Sequence, residues 1–223
     1  MSNKLLSTIF NISKSSVRRA ISAVRHALMK NFVPDNLGFD HITRQDVISN
    51  HTRPLANSLF GSEFGKPAIL VLDGTYIFIQ KRENFKFQRR SYSVHKGRPL
   101  VKPMVFVTTT GYFVSVIGPY LADIRNNDAS ILNHILKKNV EQIKNWVTED
   151  DVFIVDRGFR DSLDLLESLG IKAEMPRFLK KGEKQMSTED SNASRMVTKV
   201  KLPVWSVITS LGHTLSQFSY LSC

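Results

Sequence analysis

The sequence predicts a mixed α/β sheet flanked by helices, with a small all-α element at its N-terminus. Three observations carry that expectation. Two apolar runs, Ala68-Ile69-Leu70-Val71-Leu72 and Val152-Phe153-Ile154-Val155, have the length and composition of buried strands. Between them, Thr110-Gly111 separates two strand-like stretches, 100–109 and 112–117, which is an antiparallel hairpin signal. Beyond the hairpin, Ile131, Leu132, Ile135, Leu136, Val140, Ile143 and Val147 recur at helical spacing and predict one helix over 127–146.

Taken in order, residues 1–32 read as a partial helix-turn-helix. Leu5, Leu6, Ile9 and Phe10 give a short apolar face. Asn11-Ile12-Ser13 is a turn, and Ser13 is a good N-cap for the helix that follows. In that second helix Val17, Ala20, Ile21, Val24 and Leu28 share a face, opposite a basic one. Short helix, turn and capped basic helix is the order of a DNA-reading module, in which Lys14, Ser15, Ser16, Arg18 and Arg19 would face DNA. An ordinary amphipathic surface helix gives the same pattern. A three-helix module would need one more helix before Met1.

Residues 33–65 read as a linker with short helices, one near Thr43–Ser49 capped by Thr43 and one over 54–60. The first strand is expected over 68–73, with a continuation through Tyr76-Ile77-Phe78-Ile79. Gly118-Pro119 would end the hairpin. Residues 161–169 form a helix stopped by Gly170, then a short strand over 171–175. Polar residues 177–195 lead into a last helix from about Thr188. Strand, hairpin, helix, strand, helix, strand, helix is the order of a ribonuclease-H-like fold.

Charge narrows the partners. Thirty-one Lys and Arg against 20 Asp and Glu give a formal charge of +11, which suits a polyanion such as nucleic acid. The stretch 81–102 is the densest part: Lys81, Arg82, Lys86, Arg89, Arg90, Lys96, Arg98 and Lys102 against Glu83 alone, with Phe85, Phe87 and Tyr92 interleaved. Cations alternating with aromatics suit phosphates and unstacked bases, so Lys86, Arg89, Arg90, Lys96 and Lys102 are candidate DNA contacts. A charged, solvated hairpin edge is the bland alternative. No stretch approaches the roughly 20 apolar residues that span a bilayer, so no membrane partner is expected. The single cysteine, Cys223, excludes a disulfide framework and a Cys-based zinc site. An intracellular location, nuclear or cytoplasmic, is expected.

Both apolar runs deliver an acid. The first continues into Asp73-Gly74-Thr75 and the second into Asp156-Arg157-Gly158-Phe159. Two strand-end carboxylates side by side would hold Mg²⁺ or Mn²⁺ for phosphoryl chemistry. Either one alone would equally cap the turn after its strand. Asp123 reads as support for the loop at Asn126-Asn127, Arg157 as a phosphate contact or a partner of Asp161, and His134 as structural. His95 beside Lys96 is a plausible phosphate contact.

These residues also carry a resemblance. Asp73-Gly74-Thr75, Tyr92-Ser93-Val94-His95-Lys96, Lys102-Pro103-Met104-Val105, Thr109-Thr110-Gly111-Tyr112, Gly118-Pro119-Tyr120-Leu121-Ala122-Asp123, Asn126-Asn127-Asp128-Ala129 and Asp156-Arg157-Gly158-Phe159 follow in order. The set resembles a eukaryotic Harbinger-like DDE transposase, the group with a DDE superfamily endonuclease domain, over about residues 66–200. The resemblance implies a ribonuclease-H-like catalytic domain there, a divalent-metal cofactor (Mg²⁺ or Mn²⁺) and DNA as transposon ends or target. It makes Asp73 and Asp156 the first two catalytic, metal-binding acids. The third, a Glu, does not carry over. Asn192 to Lys201 resembles the segment leading to it, but Trp205 stands about where the Glu belongs and Pro203 would disrupt a helix there. Residues 201–223 contain no acid and read as a divergent tail. Glu174, Glu189 and Asp190 are the nearby acids that would have to substitute. The expected function is a transposase-derived, metal-binding DNA endonuclease domain, truncated and weak or inactive. The alternative is a non-enzymatic, domesticated DNA-binding protein, or a regulator of a full-length transposase. A second copy of the chain or that transposase would be its protein partner.

Overall fold

The computed structural model describes residues 3–61, 65–81, 83–179, 182 and 185–219. Helices α1 (Asn3–Ile9) and α2 (Lys14–Ala27) flank a turn in which Asn11 has φ 49°, and Ser13 Oγ accepts from Ser16 N–H, so the expected N-cap forms. A π-helical turn, Leu28–Phe32, leads to the short α3 (Val33–Asn36). Val17 is buried, whereas Ile9, Phe10, Ile21, Val24, Leu28 and Phe32 are each about half exposed or more. Helix α4 (Arg44–Asn50) carries a capping box between Thr43 and Asp46, and α5 (Pro54–Phe60) starts at its proline. Phe39, Ile42 and Val47 from this segment are buried in the main core.

Strand β1 (Ile69–Gly74) is followed by β2 (Ile77–Phe78), α6 (Phe85–Ser91), β3 (Tyr92–Ser93), β4 (Arg98–Thr108) and β5 (Phe113–Leu121). Then come α7 (Asp128–Lys138), α8 (Ile143–Trp146), β6 (Val152–Ile154), α9 (Leu163–Ser168), β7 (Lys172–Glu174) and α10 (Thr188–Ser219). The sheet is mixed, in the order β2-β4-β1-β6-β7, with β3 and β5 also paired to β4. Antiparallel β4 lies on one side of β1 and parallel β6 on the other. One face packs against α7, α9 and the segment around Phe39. The other packs against α5 and α10, through Ala56, Val197, Val200, Val204 and Ile208. Asp151 fastens this frame from inside. Fully buried, it accepts from Ala68 N–H at 2.8 Å and Thr148 N–H at 2.9 Å, and from Arg44 Nε at 2.9 Å.

Several expectations need correction. The helix expected over 127–146 is two, because Asn139, Glu141 and Gln142 adopt left-handed backbone and break it after Lys138. Strand one does not run on unbroken: Thr75 and Tyr76 interrupt it, and β2 then pairs farther along β4. Gly118-Pro119 does not end the hairpin either. Strand β5 continues to Leu121 across a register shift between Lys102 and Met104, where the proline's missing N–H is tolerated. Pro203 does not break α10, which runs through it as one helix. An internal proline costs about 3 kcal/mol. The buried stripe Val197, Val200, Val204 and Ile208 offsets that, since each such side chain contributes about 1.5–3 kcal/mol. Towards its far end α10 touches the connection between β1 and β2 through a glycine. A Cβ at Gly212 would lie 2.4 Å from Thr75 Oγ1, so only glycine permits this approach. Among the described residues no helix is long and apolar enough to cross a membrane.

Candidate active site

The two strand-end acids come together because β1 and β6 are parallel neighbours. Their register pairs Leu70 with Phe153 and Val71 with Ile154. Continued two residues, it brings Asp73 level with Asp156 at the carboxyl end of the sheet, where α/β folds place their crevices. Asp73 is 8 % exposed. Asp156 is half-buried and caps the 3-10 turn after β6, its Oδ1 accepting from Gly158 N–H at 2.8 Å.

A third carboxylate joins them. Asp128, in the first turn of α7, lies against both turns: a Cβ at Gly74 would sit 2.6 Å from its Oδ1, and one at Gly158 would sit 3.3 Å from its Oδ2. The two glycines therefore make room for it. Sequence reasoning did not single out Asp128, because an acid in a first helical turn needs no other explanation.

Two lysines answer the three acids. Lys102 on β4 is buried, with Nζ 2.6 Å from Asp128 Oδ1 and donating to Asn126 O at 3.1 Å. Lys201 on α10 places Nζ 3.9 Å from Asp73 Oδ2 and 3.7 Å from Asp156 Oδ2, with its side chain only 14 % exposed. It lies on the same helical face as the buried stripe Val197, Val200, Val204 and Ile208. Burial pushes the Asp73 carboxyl up to about 6; Lys201 opposes this, Asp156 and Asp128 add to it, and the Gly74 N–H opposes it. Tyr76 is raised too, first by burial and then by the same three acids.

The other expected residues fall as follows. Lys86 and Arg89 are exposed on α6; Arg90 pairs with Asp123 at 2.9 Å. Lys96 is exposed, its ammonium 5.2 Å from the Tyr76 ring centroid. Arg89, Arg90, Lys96, Lys102 and Arg125 line a cleft of about 930 Å³ with Tyr76, next to the acids. Lys102 differs from the expected outward contact, because neutralising Asp128 holds it at the inner wall. Lys14, Ser15, Arg18 and Arg19 are exposed on α2, far in sequence from this cleft; the hydroxyls of Ser15 and Ser16 lie 2.8 and 2.9 Å from Ser13 Oγ, inside the cap network. Asp123 accepts from Asn126 at 2.7 Å, as loop support requires. Arg157 donates to Arg177 O at 2.7 Å, while Asp161 pairs with Arg160 instead. His134 packs edge-on against Tyr120.

As they stand, the three acids are paired with Lys102 and Lys201 rather than grouped around an open centre. Among the described residues, no group of three or more His, Cys, Asp or Glu side chains is placed to hold a metal ion. Glu174, Glu189 and Asp190 join no such group, and Trp205, half exposed on α10, brings no charge.

Comparison with known families identifies one relationship. The model of a family described as DDE superfamily endonuclease matches residues 72–216, from the end of β1 into the last turns of α10. No curated protein and no solved structure gives a match.

Proposed function

Since the chain belongs to the DDE superfamily endonuclease family, we propose that it is a transposase-derived DNA-binding domain whose strand-cleaving chemistry is weak or absent. The observation that carries this reading is the basic cleft beside the acid cluster. Arg89, Lys96 and Arg125 would track a phosphate backbone, and Tyr76 and Tyr92 would offer ring faces to unpaired bases. On α2, Lys14, Arg18 and Arg19 add a second basic surface for duplex DNA. DDE-type nucleases use divalent metals, but the lysines that already neutralise Asp73, Asp128 and Asp156 argue against a productive metal site in this chain. No cleavage step is therefore assigned to it. The domain would act on DNA in the nucleus, alone, as a second copy or beside a full-length transposase.

Retention of Asp73 and Asp156 in register favours a second reading, a slow nuclease. One experiment separates the two. Fluorescence anisotropy with a labelled duplex should show affinity that falls linearly with log salt, by about 0.9 per phosphate contacted. A supercoiled plasmid incubated with Mg²⁺ or Mn²⁺ should be nicked no faster than by the Asp73→Ala variant. Salt-insensitive binding would overturn the first reading, and Asp73-dependent nicking would establish the second.

A further inference from the structure

We propose that Lys201 is the resident cation of the acid cluster, holding Asp73 and Asp156 together and excluding a divalent ion from between them. The inference rests on the reading of Asp73 and Asp156 as one site, and it does not depend on DNA binding.

Lys201 is not a solvent-facing lysine that leans inward. Its neighbours on the inner face of α10, Val197, Val200, Val204 and Ile208, are at most 4 % exposed. The helix is thus fixed by packing, and the lysine's root is fixed with it. A buried ammonium needs an anion, and Lys201 has two, at 3.9 and 3.7 Å. A Mg²⁺ ion bound by the same carboxylates would require oxygens at about 2.0–2.1 Å and near-octahedral geometry. The ammonium stands in that space with a like charge, so a metal can enter only if Lys201 leaves. The third carboxylate is no help, because Lys102 engages Asp128 at 2.6 Å. Lysine supplies positive charge but is no Lewis acid. It steadies the two acids without activating water.

Mn²⁺ alone is the probe, with free ion counted by electron paramagnetic resonance and no DNA present. The wild-type chain should take up no Mn²⁺ that the Asp73→Asn variant does not. Lys201→Gln should bind Mn²⁺ at least about tenfold more tightly, and Lys201→Gln with Asp156→Asn should lose that gain. Lys201→Arg, which keeps the charge, should remain like wild type. Circular dichroism melts establish that each variant is folded. Asp73-dependent Mn²⁺ binding by wild type as tight as that of Lys201→Gln overturns the proposal. So does a folded Lys201→Gln that binds no better than wild type. Should Lys201→Gln not fold, any Mn²⁺ uptake by the wild-type chain that Asp73→Asn abolishes still overturns the proposal. The DNA-binding assay is independent of all these outcomes, so a failure here leaves that reading standing.

Discussion

Replacing Asp73 with Asn tests how much strain the acid cluster stores. The carboxyl of Asp73 rises from 3.8 to about 6 on folding, chiefly because burial penalises its charged form. Well below pH 4 the group is protonated in folded and unfolded chains alike and contributes nothing. Between pH 4 and 6 the unfolded chain has released the proton and the folded chain has not, so stability falls as pH rises. Above pH 6 the penalty is complete. At 1.36 kcal/mol per pH unit it amounts to about 3 kcal/mol. Asn resembles the protonated acid in shape and is neutral at every pH. Asp73→Asn should therefore match wild type near pH 4 and exceed it by up to about 3 kcal/mol at pH 7. For a chain of this size that is a rise of about 6–12 °C in melting temperature. Urea melts of both proteins at half-unit steps from pH 4 to 8 measure the difference directly. Should the variant be less stable at pH 7, or should the difference not change with pH, Lys201 would be compensating Asp73 fully and the burial argument would be wrong.

Further substitutions test the frame and the cleft. Asp151→Ala leaves Arg44 unpaired and strips the acceptor from Ala68 and Thr148, so it should cost about 3–5 kcal/mol in urea melts. Arg89→Ala and Lys96→Ala should each weaken DNA binding and lower the salt slope by about 1 in anisotropy titrations, while Lys137→Ala, exposed on α7 outside the cleft, should change neither.

The acid pair was legible because it depends on local pattern alone. An apolar run long enough to be a buried strand, ending in Asp and turning at Gly, leaves its carboxylate at the sheet's end wherever the strand sits. The caps at Ser13 and Thr43 were legible for the same reason: each needs only its own next three residues. Asp128, Lys102 and Lys201 depend on which elements meet, and their local settings offered sufficient ordinary explanations. Helix α6 was hidden because it has no apolar stripe; Asn84, accepting from Phe87 N–H, starts it, and charged residues fill it. The break after Lys138 was hidden by apolar residues that continue at helical spacing although the backbone turns left-handed. Pro203 misled in the opposite direction, because tertiary burial outweighed a local rule.

The contact of Gly212 with Thr75 turns α10 into a ruler. Lys201 and Gly212 are eleven positions apart (212 − 201), close to three whole turns, so one helical face delivers the first to Asp73 on β1 and the second to Thr75 just beyond it. Deleting or inserting a single residue between them would swing one end by about 100° relative to the other. Either the ammonium would leave the carboxylates, or a bulkier side chain would be driven into Thr75. Length in this segment is therefore more tightly constrained than composition: many exchanges of side chain leave the measurement intact, and a one-codon slip destroys it.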